Sequence, residues 1–173
     1  MSAPQTRRVF FALWPDEDTR RDLARWSDAF HRLCGGRRMR TENLHLTLAF
    51  IGAIEAGRIG EVSRVARRVA PRLCVAGFDE PGYWRHNRIA WLGASQVPVA
   101  LADMVDELRA SLAAAEVRFD AKPFVPHVTL VRNARAPRSL PALDPVRWKT
   151  DGFVLLSSER DDEGPVYRVV EAY

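Results

Sequence analysis

The chain has 173 residues, 47% of them hydrophobic, enough to bury one continuous core and too few for two large independent domains. Its formal net charge is +4, and 24 of its 26 basic residues are arginine, whose planar fork matches phosphate oxygens, so anionic partners suit the composition without being required by it. Cys34 and Cys74 lack CxxC spacing and a neighbouring histidine cluster, which argues against a zinc knuckle or redox pair. The apolar run Val9–Trp14 is too short for a secretory segment and no stretch nears membrane-spanning length, so a cytoplasmic protein with free thiols is expected.

In chain order, the wholly apolar run Val9–Leu13 predicts a strand buried on both faces. Pro15 followed by Asp16, Glu17 and Asp18 predicts a helix start. Leu23, Trp26, Phe30 and Leu33 give that helix one apolar stripe, and Gly35 and Gly36 stop it. NLHLTLAFI, residues 43–51, alternates as a strand with leucines on one face and His45 and Thr47 on the other. A second amphipathic helix is predicted from about Glu55 to Ala70, ended by Pro71. Strands are expected over Leu73–Phe78 and Arg88–Leu92, with Pro81, Gly82 and Asn87 as turn residues and Tyr83, Trp84 and His86 near the connection. Val99–Ala115 carries Leu101, Met104, Val105, Leu108 and Leu112 on one helical stripe. FVPHVTLVR, residues 124–132, repeats the strand with His127 and Thr129. The segment 136–145 is a loop by composition, and strands follow near Gly152–Ser157 and Val166–Val170.

In a strand, residues i and i+2 share a face, so His45 with Thr47 and His127 with Thr129 each present an imidazole and a hydroxyl together. Imidazole titrates near neutrality. One copy can therefore remain neutral as a base for an attacking water while the other stays protonated as an acid for a leaving oxygen, and the hydroxyls can bond nonbridging phosphate oxygens. One HxT on a half-buried strand is ordinarily a packed core histidine. Two in matched apolar strands, 82 residues apart and so about half the chain, point instead to an internal duplication and a shared site. Neither strand offers a thiol or carboxylate at i+2 or i+4, so a metal site is disfavoured and no cofactor is expected.

With these flanks, from RRVFFALWPDEDTR through the two motifs to VLLSSERDDEGPVYRVVEAY, nearly the whole chain resembles the two-histidine phosphoesterase superfamily, specifically its RNA 2′,3′-cyclic phosphodiesterases, also called 2′-5′ RNA ligase-like proteins. The resemblance implies an α/β (α+β) bilobed fold over residues 1–173. It comprises one domain of two pseudo-symmetric lobes, each an antiparallel sheet backed by helices, about a central basic cleft. It also implies His45 as general acid, His127 as general base, and Thr47 and Thr129 as phosphate binders. The implied reaction opens 2′,3′-cyclic phosphate ends of RNA to 2′-phosphomonoesters without metal, with 2′-5′ ligation as a second outcome. The implied partner is RNA with such an end, tRNA fragments and cyclic nucleotides included; a monomer is expected, and the lack of any membrane-spanning stretch predicts no membrane contact.

Arg132 follows the second motif as a candidate RNA or phosphate contact whose facing alternation leaves open. Phe11 is a candidate base-stacking residue beside the cleft, for which core packing is the competing role. Trp84, with Tyr83, is an alternative stacking platform. His31 and His86 read as surface residues. Two other functions share this site: a noncatalytic module that binds RNA ends, and a phosphodiesterase for a small cyclic nucleotide.

Overall fold

The computed structural model describes residues 5–173. Strand β1 (Thr6–Leu13) leads through Pro15 to helix α1 (Glu17–Cys34). Asp16 caps the helix by accepting from the Thr19 amide at 2.8 Å, and that bond holds its carboxyl below the usual range. Gly35 and Gly36, at φ 59° and 86°, stop it; a Cβ on Gly36 would lie 2.6 Å from the Arg132 carbonyl oxygen. There follow β2 (Arg37–Arg38), a 3-10 turn (Thr41–Asn43), β3 (Leu46–Glu55), a second 3-10 turn (Ala56–Arg58) and α2 (Ile59–Ala66). The remaining elements are β4 (Cys74–Phe78), β5 (Glu80–Trp84), β6 (Ile89–Gly93), α3 (Val99–Ala114), β7 (His127–Arg132), β8 (Val146–Thr150), β9 (Val154–Asp161) and β10 (Gly164–Ala172).

Several boundaries differ from the predicted ones for identifiable reasons. The second helix is confined to Ile59–Ala66, preceded by a 3-10 turn that contains Gly57 and followed by turns. Pro81 and Gly82, expected in a turn, lie inside β5. This strand is the edge of its sheet, where a missing N–H costs no ladder bond, and the bare Gly82 backbone accommodates the Trp91 ring. β8 has no counterpart among the predicted strands; it pairs with β4 through Trp148, whose side chain is buried against Phe78. Leu33, assigned to the apolar stripe of α1, is 48% exposed.

The strands are antiparallel throughout, in one path β10-β9-β1-β3-β7-β6-β5 with β2 beside β7, and a separate pair β4-β8. β3 and β7 are joined by a single bridged pair, Leu46 with Val128. That seam divides the path into two four-stranded halves, β10-β9-β1-β3 and β2-β7-β6-β5, in the bilobed α/β arrangement the sequence implies. The helices cross it: α1 packs on β7 and β8, and α3 on β3 and α2. One hydrophobic core runs beneath both halves, including Phe11, Phe30, Leu46, Leu108, Leu130 and Trp148.

Candidate active site

The seam places the two motifs side by side. Leu46 and Val128 are fully buried, so their neighbours His45, Thr47, His127 and Thr129 point to the opposite, cleft-facing side. Continued one residue either way, the register sets Thr47 across from His127 and Thr129 across from His45. His45 itself precedes β3, and His127 opens β7. Both rings are fixed in the same manner: Nδ1 of His45 lies 2.6 Å from the Asn43 carbonyl, and Nδ1 of His127 lies 2.7 Å from the Val125 carbonyl. A carbonyl only accepts, so each Nδ1 carries the proton and each Nε2 is left unprotonated, an acceptor with one lone pair. Thr47 Oγ1 is 3.1 Å from His45 Nε2 and donates to it.

Aromatic rings complete the positioning. His45 meets Phe10 at 5.0 Å and the edge of Tyr167 at 5.1 Å between centroids, and His127 meets Trp84 at 4.6 Å. The buried Asn43 ties this corner to β10, donating to the Pro165 carbonyl at 2.6 Å and accepting from the Tyr167 amide at 3.1 Å. Burial disfavours the charged imidazolium and pulls His45 down to about 4, with His127 and Arg132 adding to the effect against the Asn43 carbonyl. His127 is lowered by burial and by Arg132, opposed by the Val125 carbonyl. In both rings burial therefore favours the neutral imidazole over the imidazolium.

Each motif strand also carries a bulge at the same place. On β3, Thr47 faces Ala12 while Ala49 faces Phe11, leaving Leu48 unpaired; on β7, Thr129 faces Trp91 while Val131 faces Ala90, leaving Leu130 unpaired. The bulge shifts the alternation, so the residue five places after each histidine returns to the cleft side. From β3 this is Phe50, which lines a cavity of about 410 Å³ with Thr47, Trp84 and His127. From β7 it is Arg132, which acts electrostatically on both histidines and lines a larger groove of about 920 Å³ with Tyr167. A helix side chain donates to each bulge carbonyl: Arg109 Nε of α3 to Leu48 at 3.1 Å, and Ser27 Oγ of α1 to Leu130 at 3.2 Å, where the Met39 amide also donates at 2.8 Å.

Among the described residues, no three His, Cys, Asp or Glu side chains gather as a metal cage, and no helix is long and apolar enough to cross a membrane. A site of two imidazoles, two hydroxyls and a guanidinium, with aromatic walls, is equipped to hold a phosphate and move protons on either side of it.

A family model described as LigT like Phosphoesterase matches residues 13–91 and again 92–167. The chain belongs to the LigT-like phosphoesterase family. Among its relatives, the RNA 2′,3′-cyclic phosphodiesterase of Escherichia coli is 33% identical over 82% of this chain and 79% of its own length. The enzyme of the same name from Thermus thermophilus is also 33% identical, over 96% and 89%. Among solved structures, E. coli LigT complexed with 3′-AMP superimposes with a TM-score of 0.87 at 27% identity, covering 98% of each chain. TT0787 of Thermus thermophilus gives 0.81 at 28%, covering 96% of each. The LigT-like membership and the curated relatives make the protein an enzyme of the phosphodiesterase class.

In this LigT-like site the structure brings together His45, Thr47, His127 and Thr129, with Arg132 and Trp84 at its margins. It does not bring Phe11, which is 0% exposed and packs on Phe153 and Tyr173 in the core. Of the two roles weighed for Phe11, the structure gives it core packing and not base stacking; the neighbouring Phe10, of opposite parity, stands beside His45 with Tyr167. Tyr83 is structural, its hydroxyl donating to the Ala134 carbonyl at 2.9 Å. His86 sits in an exposed turn and lines the smaller cavity; His31 is on the outer face of α1. Phe50, Arg109, Asn43 and Tyr167 were not singled out from sequence. Phe50 was hidden by strict alternation, and the others act through contacts distant in the chain.

Proposed function

We propose that the protein opens 2′,3′-cyclic phosphate ends of RNA to 2′-phosphomonoesters, with His127 as general base and His45 as general acid. The observation that carries this reading is the mirrored pair of imidazoles, each with Nδ1 committed to a backbone carbonyl and Nε2 turned to a common cleft. The relatives named RNA 2′,3′-cyclic phosphodiesterase supply the substrate.

Water gives its proton to Nε2 of His127 as its oxygen attacks phosphorus. The bond from phosphorus to O3′ breaks in line, and O3′ takes the proton from Nε2 of His45. The product is a 3′-hydroxyl beside a 2′-phosphate. Each proton transfer is worth about 10² to 10⁴ in rate. An imidazolium as disfavoured as that of His45 is a strong donor, and the negative phosphate beside it supplies the counter-charge under which it holds a proton. The Thr47 and Thr129 hydroxyls and the Arg132 guanidinium receive the charge that builds on the nonbridging oxygens. With a ribose 5′-hydroxyl in the place of water, the same transfers give a 2′-5′ linkage. None of these steps uses a metal.

The repeat is supported by the shared order of histidine, threonine, bulge and cleft-facing fifth residue, and the chain is read as one domain acting as a cytoplasmic monomer. The test is product identification from a cyclic-ended oligonucleotide in EDTA. A 2′-phosphate is expected; a 3′-phosphate, or activity lost to EDTA and restored by a metal ion, would overturn the mechanism. An unchanged oligonucleotide that remains bound would favour a binding module.

A further inference from the structure

The larger groove lies on the Tyr167 side of the histidine pair and is lined by residues of β1, β2, β7, β9 and β10. Its charges do not cancel. The lining carboxylate of Glu159 pairs with Arg7 and Arg168, and those of Asp161 and Glu163 pair with Arg40, leaving only Asp162. Among the described residues, Arg8, Arg37, Arg132 and Arg160 line the groove and form no ion pair. Arg132 joins the groove to the catalytic pair, Arg37 is its cross-strand partner, and Arg160 stands where β9 approaches its turn. Unpaired guanidiniums along one channel repel one another and are stabilised by a ligand bearing several separated negative charges. A cyclic mononucleotide, with a single phosphate, would occupy the histidine pair and leave most of them unneutralised.

We propose that this groove is the track for the RNA strand leading to the cyclic end, its phosphodiesters lying along Arg132, Arg37, Arg160 and Arg8 while the terminal nucleoside occupies the smaller cavity with Phe50 and Trp84. The proposal rests on the RNA-end reading above and sharpens it: the enzyme distinguishes a strand from a mononucleotide at a place separate from its chemistry. The upstream strand fits better than an incoming second strand, because hydrolysis needs only water, and every RNA end brings its own preceding phosphates.

The test compares a short oligonucleotide ending in a 2′,3′-cyclic phosphate with 2′,3′-cyclic AMP, using the wild type and the Arg37→Ala/Arg160→Ala variant. Both arginines are exposed, and unchanged thermal melting establishes that the variant folds; Arg160→Glu is the second variant. Expected are a loss of about tenfold in kcat/KM for the oligonucleotide, mostly through KM, and turnover of the mononucleotide within about twofold. The salt slope of log kcat/KM should flatten by about 1.4 for two lost single-strand contacts. Equal losses on both substrates, an unchanged slope, or a defect confined to joining a 5′-hydroxyl strand would overturn it. Should the wild type turn over neither substrate, the RNA-end reading fails, and direct binding of the oligonucleotide still decides: a flatter slope supports the track and an unchanged one refutes it.

Discussion

Leu48 and Leu130 are counterparts: each lies three residues after a cleft histidine, is the unpaired residue of a bulge, and offers its carbonyl to a side chain from a helix that follows a strand of the other half. The sites to either side differ because the counterparts two places on differ, Phe50 on one strand and Arg132 on the other.

That difference predicts a division of labour. Phe50→Ala removes a stacking wall, a contact worth about 1 to 3 kcal/mol in single-strand binders, and should raise KM with little change in kcat. Arg132→Ala should lower kcat, and Arg132→Lys should restore part of it as a point charge without the fork. Steady-state kinetics on the cyclic-ended oligonucleotide separates the two.

His45→Ala and His127→Ala should each reduce single-turnover rates by about 10² to 10⁴. The double variant should be little worse than the poorer single one, since the two proton transfers act as a unit. Full activity in either single variant would remove that histidine from the mechanism.

The burial of His45 predicts an acid-sensitive fold. Its folded pKa, about 4, is below the ordinary 6.5, so the unfolded chain binds the extra proton first. The stabilising difference is complete above pH 6.5 and is lost as pH falls toward 4, by on the order of 3 kcal/mol from this group alone. Urea midpoints measured across this range should drop for the wild type, and His45→Asn should flatten the curve.

Arg109→Ala should cost about 1 to 3 kcal/mol, because it strips a donor from the bulge carbonyl of Leu48 and another from that of Lys122. The Phe50 wall should loosen with it, raising KM. Denaturant unfolding and KM together test the link; a stability loss with unchanged KM would confine Arg109 to the scaffold.

Asn43→Ala should destabilise by a similar amount, since it orphans the Tyr167 amide and the Pro165 carbonyl at a buried corner. The released His45 ring should also lower kcat, which Asn43→Asp should rescue only in part, because it keeps the acceptor and loses the donor.

The features legible in the sequence were those written in local periodicity. His45, Thr47, His127 and Thr129 declared themselves by spacing two in apolar strands, and α1 by its cap and terminal glycines. The bulges were not legible, because Leu48 and Leu130 look like any other apolar strand residue and a register shift belongs to two strands at once. Strict alternation consequently hid Phe50 and left the facing of Arg132 open. It also could not choose between Phe10 and Phe11, which stand next to each other in a run apolar throughout. β5 was obscured by Pro81 and Gly82, residues that mark turns except at a sheet edge.

The single Leu46–Val128 bridge has a mechanical meaning. A phosphate that touches both histidines spans the least stitched line of the sheet and acts as a temporary rivet between its halves. By linkage, a ligand held from both halves stabilises their joined arrangement, so binding at the site and cohesion of the seam strengthen each other.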